Sequence, residues 1–539
     1  MSTPISDGES SGHQMYAPKR LREQTRIPPA PQLRVTSPGI FPSHAQVHGD
    51  QGETSGFPSS GEDSEDKLSQ RLYEPELASE QPDLRGRVYP VVRLISWVAI
   101  VAACTGLIVL IAIITKPLWS GLGRQPPLQA SLSDRLGAYN APADPVTSVQ
   151  AQPAQLAAYA RQFDSPVQGI TENEIRFGIS APFSGPAKEL GQNMKLGIDA
   201  AFNVANTKGG VNGRQLRLVA ADDGYEPTRT AETMKQLYEQ DRVFGVVGNV
   251  GTPTAMVALP YALDHRMLFY GAFTGASLLR SDPPDRYVFN YRASYAEETD
   301  AVVRYLVKVR RLKPEQIAVF AQQDTYGDAG FAGVAKAMRS LRGGDESTIL
   351  RLNYKRNTVD VDEAVAQLQK SRIPIKAVIM VPTYRAAARF IEKTRDLYPS
   401  MIYTSVSFVG STALASELML LGQKYATGVI VTQVVPALDG HSSVVLDYKS
   451  ALAKYFPGEA PDYVSLEGYL AGSVLVEALK RNGPQLDTER LVDTLENVRD
   501  FDMGLGTPVT FGRSEHQGVH KVWGTQLDAT GHYKPIDLQ

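Results

Sequence analysis

A short glycine-rich stretch carries the clearest candidate chemistry of this sequence. It is the octet GNVGTPTA at residues 248–255. The apolar, β-branched residues 243–247 predict a buried parallel strand before it, and residues 255–259 predict the first turns of a helix after it. Glycines permit a tight bend, Thr252 suits the N-cap position, and Pro253 suits the first helical position. Hydroxyl and free backbone N–H groups at a helix N-terminus can hold a carboxylate or another small polar group, although an ordinary capped turn would show the same pattern.

Two further hydroxyl residues follow predicted strands in the same way. Ser184 comes after the strand at 175–180, and Thr274 comes after the strand at 267–270. Strands alternate with helices throughout this part of the chain, which predicts a parallel, doubly wound sheet. Ligands of such sheets bind at the carboxyl ends of the strands. We therefore expect Ser184, Thr252 and Thr274 to lie at one edge of the sheet.

The alternation of strands and helices starts again after residue 291. Two consecutive units of this kind predict two doubly wound, Rossmann-like α/β lobes, with a cleft between them that closes about a hinge. Aromatic residues follow three strands of the second unit, namely Tyr326, Tyr384 and Phe408.

The predicted domain spans residues 173–539. We place lobe 1 at about 174–290 and 427–505, and lobe 2 at about 292–425 and 506–537.

The globular part of the chain resembles a known family through five motifs. They are FGISAPFSGP at 177–186, GGVNGR at 209–214, ADDGYEP at 221–227, GNVGTPT at 248–254 and DTYG at 324–327. In this order and spacing they are similar to the motifs of the type I periplasmic solute-binding proteins of the leucine/isoleucine/valine-binding group, which serve ABC importers. The resemblance covers about residues 174–537 and implies a ligand held between two lobes.

The resemblance also implies which residues contact the ligand. In that family a hydroxyl and backbone N–H groups of the first lobe hold the carboxylate of an amino acid, and this role falls on Thr252. The second contact loop falls on Ala272 and Thr274, and Ser184 lines the mouth of the first loop. From the second lobe, the implied aromatic contacts are Tyr326 and Tyr384.

One departure from the family pattern concerns the amino group of the ligand. Members that bind α-amino acids usually present an acidic residue after the strand that ends here at Ser405. This sequence reads SVSFVG at 405–410, with Phe408 and no carboxylate. We therefore expect Phe408 to face the ligand, and the departure admits a ligand without an amine, such as an aliphatic or aromatic carboxylate or an amide.

The N-terminal third of the chain differs in composition from the rest. Residues 1–90 are rich in Pro, Ser, Gly, Gln and Glu, which predicts a disordered cytoplasmic tail. From Leu94 to Thr115 no charged residue occurs, and a helix of this length can span a bilayer. The alternative is a lipoprotein signal, because the sequence VAAC that ends at Cys104 resembles a lipobox. Residues 116–172 predict a flexible linker rich in Pro, Ala and Gln, and both readings place the domain outside the cytoplasm.

Charge and motif content narrow the classes of function. The formal net charge of −3 offers no field that would attract nucleic acid. No nucleophile elbow, Cys/His pair, HExxH or P-loop pattern occurs, so we expect neither an enzyme nor a bound cofactor or metal. The sequence predicts a membrane-tethered solute-binding protein that works with an ABC permease. The alternative is a ligand-sensing ectodomain of a membrane receptor or regulator.

Overall fold

The computed structural model describes residues 167–341 and 346–539. The predicted tail, the membrane segment from Leu94 to Thr115 and most of the predicted linker lie outside the described residues. Within the described part, no helix combines the length and the apolar composition that a membrane span requires.

Lobe 1 is built on a five-stranded parallel sheet with the order β2-β1-β3-β4-β5. Its strands are β1 (Glu174–Ala181), β2 (Gln215–Asp222), β3 (Gly245–Val247), β4 (Leu268–Tyr270) and β5 (Val288–Phe289). The helices between them are α1 (Lys188–Thr207), α2 (Pro227–Lys235) and α3 (Thr252–Asp264). Because β1 lies between β2 and β3, the winding of the sheet reverses there, and the carboxyl ends of β1 and β3 border the crevice where such sheets bind ligands.

Lobe 2 is built on a seven-stranded sheet with the order β12-β11-β10-β9-β8-β6-β7. Its strands are β6 (Ile317–Gln322), β7 (Arg351–Tyr354), β8 (Ala377–Val381), β9 (Ile402–Ser405), β10 (Ile430–Gln433), β11 (Trp523–Leu527) and β12 (Tyr533–Ile536). Its helices are α4 (Tyr295–Arg304), α5 (Thr325–Ser340), α6 (Asp362–Gln369), α7 (Tyr384–Arg395), α8 (Ser411–Leu421) and α9 (Gln423–Ala426). Strands β6 to β10 run parallel, whereas β11 and β12 form an antiparallel edge. The predicted α/β fold with two sheets is confirmed.

Three late helices return to lobe 1. They are α10 (Ser443–Tyr455), α11 (Tyr463–Asn482) and α12 (Thr488–Leu495). Helices α1 and α11 cross closely because glycines stand at the crossing: a Cβ on Gly197 would lie 1.9 Å from the carbonyl oxygen of Ser465, and one on Gly468 would lie 2.4 Å from that of Met194. This contact joins the first and last parts of the domain into one lobe.

Two segments lie in a different lobe from the one that the sequence predicts. The sequence predicts strand β10 in lobe 1, but it pairs with β9 and β11 in the sheet of lobe 2. The sequence also predicts residues 506–522 in lobe 2, but this segment packs on lobe 1. There Phe511 lies edge-on against Phe289 of β5, and Gln517 forms a β-bridge with Asn290. A short apolar strand fits either sheet equally well, so its pattern does not reveal its partner.

Candidate functional site

Two buried threonines meet at the start of helix α3. Thr252 is the first residue of this helix, and its Oγ1 lies 2.7 Å from Oγ1 of Thr274, which follows β4. Both side chains are fully buried. The structure thus brings together two of the hydroxyls that the sequence places at strand ends.

Thr252 does not cap its helix. The N-cap residue is Gly251, with φ of 107°, and α3 has no side-chain hydrogen bond at its cap. The N-cap prediction for Thr252 is wrong by one residue, because the glycine adopts a backbone conformation that disfavours other residues. The hydroxyl of Thr252 therefore turns to Thr274, and the first N–H groups of α3 have no partner within the helix.

The loops after β3 and β4 are held side by side. The backbone N–H of Phe273 donates to the carbonyl of Asn249 at 2.8 Å, and that of Gly251 donates to the carbonyl of Phe273 at 3.2 Å. Ala272 is buried beside this bridge. Pairing of the two loops fixes the distance between Thr252 and Thr274.

Aromatic rings from both lobes meet across the cleft. Phe408 lies in a 3₁₀ turn (Ser407–Val409) after β9, and its ring centroid is 5.0 Å from that of Phe273 in lobe 1. In lobe 2 its ring is 4.6 Å from that of Tyr326. Tyr225 and Tyr295 complete the group at 6.1 and 6.4 Å from Phe408. This cluster brings the lobes into direct contact, so the cleft is closed.

Ser184 and Tyr384 lie apart from this cluster. The exposed hydroxyl of Ser184 donates to Asp222 at 2.6 Å and ties two loops of lobe 1 together. Tyr384 lines a separate surface cavity of about 310 Å³ together with Arg385 and Thr412. In the described part of the chain, neither side chain bonds to the threonine pair or stacks on Phe408.

A buried ion cluster, which sequence reasoning missed, lies next to the aromatic group. Arg292 follows β5 and contacts Glu298 of α4 at 2.8 Å and Glu467 of α11 at 3.5 Å. Its guanidinium lies 5.1 Å from the ring centroid of Phe273. All three charged residues are buried, and the cluster joins lobe 1 to lobe 2. No local motif predicts this ion cluster, because its members are spread over the sequence from residue 292 to 467.

Glu298 supplies a carboxylate at the position where the stretch 405–410 has none. One of its oxygens accepts from the backbone N–H of Ser407 at 2.8 Å and from the hydroxyl of Thr432 at 2.5 Å. The other accepts from Arg292 at 2.8 Å and from the hydroxyl of Ser407 at 3.1 Å. Since a carboxylate has about four acceptor positions, little capacity remains for the ammonium of a ligand.

Arg292 contacts two buried carboxylates at once, and Arg280 adds a further positive charge near Glu467. Burial raises the pKa of Glu467 to about 7, Arg292 opposes this rise, and the nearby charge of Glu298 adds to it. Glu467, the more distant partner of Arg292, is therefore the group that takes up a proton.

Glu467→Gln should alter the pH dependence of stability. Because the folded-state pKa is raised, the stability that Glu467 contributes is present below its unfolded value of 4.5 and is lost as pH rises through about 7. When the pH is raised from 5 to 8, the unfolding free energy of the parent should therefore fall by about 2 kcal/mol relative to that of Glu467→Gln. Urea unfolding of both proteins measures this difference, in which the other titrating groups cancel. A difference that stays constant with pH would contradict a raised pKa of Glu467 in the folded protein.

The two lobes, and the cleft with hydroxyls on one side and aromatic rings on the other, define a two-lobed ligand-binding protein. The family described as periplasmic binding protein matches residues 174–532, which is most of the described chain. The chain belongs to this family.

Relatives with names and structures agree with this assignment. The Leu/Ile/Val-binding protein homolog 3 of Brucella melitensis is 25% identical over 337 residues, covering 62% of this chain and 86% of the relative. An amino acid binding protein of Pseudomonas aeruginosa is 24% identical, covering 59% and 82%. The crystal structure of a possible leucine/isoleucine/valine-binding protein from Rhodopirellula baltica is 41% identical with a TM-score of 0.65, covering 70% of this chain and 98% of that one.

Proposed function

We propose that this protein captures a small molecule with a carboxylate or amide end in the cleft between its lobes and delivers it to an ABC importer. The observation that carries this proposal is the buried Thr252–Thr274 pair at the start of α3, beside Phe273, whose ring stacks on Phe408 of lobe 2. Relatives named as amino acid or Leu/Ile/Val-binding proteins support capture of a small carboxylate. In this proposal the segment from Leu94 to Thr115 tethers the domain to the membrane, on its extracytoplasmic side.

The polar end of the ligand binds lobe 1. Two hydroxyls and the first N–H groups of α3 converge there, and the helix dipole adds partial positive charge. These features suit a carboxylate or a carbonyl oxygen.

The apolar end of the ligand binds lobe 2. Tyr326 and Phe408 provide the rings that cover it, and Phe273 faces them from lobe 1. The carboxylate of Glu298 is already engaged by Arg292, Ser407 and Thr432. An α-ammonium would therefore be buried without a strong partner, which is costly. We infer that the preferred ligand lacks this group.

A thermal-shift screen of the full-length protein tests the proposal. Its panel consists of matched pairs that differ only in the amine: leucine with 4-methylpentanoate, phenylalanine with 3-phenylpropanoate, and the corresponding amides. A ligand at 100 times its dissociation constant stabilises a protein by about 2.7 kcal/mol, which gives a clear rise in Tm. We expect the amine-free member of a pair to give the larger rise.

Two outcomes would count against this function. If no member of the panel shifts Tm, capture of a small carboxylate or amide is wrong. If leucine or phenylalanine outperforms its amine-free partner, the inferred chemistry of the ligand is wrong while capture itself stands.

A further inference from the structure

A second set of contacts joins the lobes away from the threonine pair. It links the turn at 224–226, between β2 and α2 of lobe 1, to Arg356 and Asn357, which follow β7 of lobe 2. Arg356 contacts the carboxylate of Glu226 at 2.9 Å. The amide of Asn357 donates to the same carboxylate at 2.6 Å and to the carbonyl of Gly224 at 3.1 Å. Both oxygens of Glu226 therefore bind groups of the opposite lobe.

Arg356 is held in place from within lobe 2. Its guanidinium also contacts Asp324 at 3.1 Å, and Asp324 caps helix α5 by accepting from the N–H of Tyr326. Asp324 further accepts from the amide of Gln322 at 2.7 Å. Because these groups fix the arginine before the lobes meet, less side-chain entropy is lost when Glu226 arrives.

The turn that carries Glu226 also places an aromatic ring on the threonine helix. Tyr225 has φ of 63°, an unfavourable backbone conformation for a large residue, and its side chain is fully buried. Its ring covers Gly251 so closely that a Cβ there would lie 2.3 Å from Cε2 of the tyrosine. Across the cleft, the amide of Gln322 donates to the hydroxyl of Tyr225 at 3.3 Å. The neighbouring residues 225 and 226 thus connect the interlobe contact directly to the start of α3.

We propose that Glu226, Arg356 and Asn357 form a latch that holds the lobes closed and keeps Tyr225 over the start of α3. These are positioning residues, since they lie at the rim of the cleft and act through Tyr225. The inference rests on the proposed capture of a ligand between the lobes. It adds that the latch determines the equilibrium between the open and closed forms of the protein. The latch contains one interlobe ion pair, Arg356–Glu226, whose side chains are incompletely buried, so salt weakens it.

The test measures the distance between the lobes in the full-length protein without any ligand. Spin labels are placed on Met256→Cys in lobe 1 and Leu397→Cys in lobe 2, whose side chains are 48% and 52% exposed, in a Cys104→Ser background. Arg356→Gln and Asn357→Ala should each raise the ratio of long to short distances about 3- to 10-fold. Raising the salt concentration from about 0.05 to 0.5 M should also raise the ratio of long to short distances in the parent. The same change of salt should raise this ratio much less in Arg356→Gln.

Arg351→Gln is the matched control. It makes the same change of charge on the same lobe and breaks an ion pair with Asp328, but that pair does not cross the cleft. Its distance distribution should match that of the parent. Glu226→Gln combined with Arg356→Gln should open the protein no further than the larger single change, because both act on one contact.

The latch is wrong if Arg356→Gln and Asn357→Ala leave the distances unchanged, or if Arg351→Gln shifts them equally. Urea unfolding midpoints within the range of the parent show that the lobes remain folded in each variant. Because no ligand is present, a failed ligand screen would leave this result intact, and a failed latch would leave the ligand proposal intact.

Discussion

Thr252→Val should weaken binding of the best ligand from the screen by about 1.5–3 kcal/mol, or roughly 10- to 150-fold in Kd. Valine keeps the shape of threonine and removes only the hydroxyl. That hydroxyl is buried, does not cap its helix, and has Thr274 as its partner at 2.7 Å. Because the two hydroxyls share one hydrogen bond, one O–H group of the pair remains to donate to a polar group that enters the cleft. Isothermal titration calorimetry measures the loss.

The matched control is Thr254→Val in the same turn of α3. The hydroxyl of Thr254 is already bonded to the carbonyls of Val250 and Gly251, so it should contribute to stability but little to binding. Thr274→Val should weaken binding as Thr252→Val does, and the double variant should lose less than the sum, because the two hydroxyls act as a pair. If Thr252→Val binds the ligand as tightly as the parent does, the octet at 248–255 is an ordinary turn and not a binding site.

Arg292→Met should lower the free energy of unfolding by about 3–5 kcal/mol. Methionine fits an apolar site but leaves Glu298 and Glu467 buried without their common counter-charge. Removal of one member of a buried ion cluster costs far more than loss of an exposed pair, because the remaining charges stay desolvated. Urea unfolding at pH 7.5 measures this loss.

Arg339→Gln provides the comparison for Arg292→Met. Arg339 contacts Glu346, but both side chains are about half exposed, so the change should stay within about 0.5 kcal/mol. A loss below about 1 kcal/mol for Arg292→Met would mean that the folded protein does not depend on the buried cluster to join lobe 1 to lobe 2.

Local pattern was sufficient for the parts of this protein that depend on neighbours in sequence. The apolar strands and their alternation with helices predict two doubly wound sheets, and the carboxyl-end rule predicts that Thr252 and Thr274 lie at one edge. Their hydroxyls are in fact in contact. The rule worked because parallel neighbouring strands must end on the same side.

Features that depend on distant partners could not be read in this way. Glu298 is an unremarkable acidic residue on a helix until Ser407, 109 positions later, is brought to it by the second sheet. The sequence of strand β10 does not indicate which sheet it joins. The contact of the Tyr225 ring with Gly251 likewise forms only in the folded protein. In each case tertiary packing, which a single sequence does not display, decides the outcome.

The glycine crossing of α1 and α11 sets an order of events during synthesis. The stripe of small residues of α1 that α11 covers, which includes Gly197 and Ala201, emerges roughly 250 residues before α11. At a synthesis rate of about 5–20 residues per second, this stripe waits on the order of 10–50 s for its covering helix. Both sheets can pair their parallel strands, β1 to β5 and β6 to β10, in that interval, whereas β11 and β12 of lobe 2 follow α11 in the sequence. The nascent protein therefore presents an uncovered helix face that a holding chaperone could bind, and neither lobe is complete until the C-terminal part of the chain has been made.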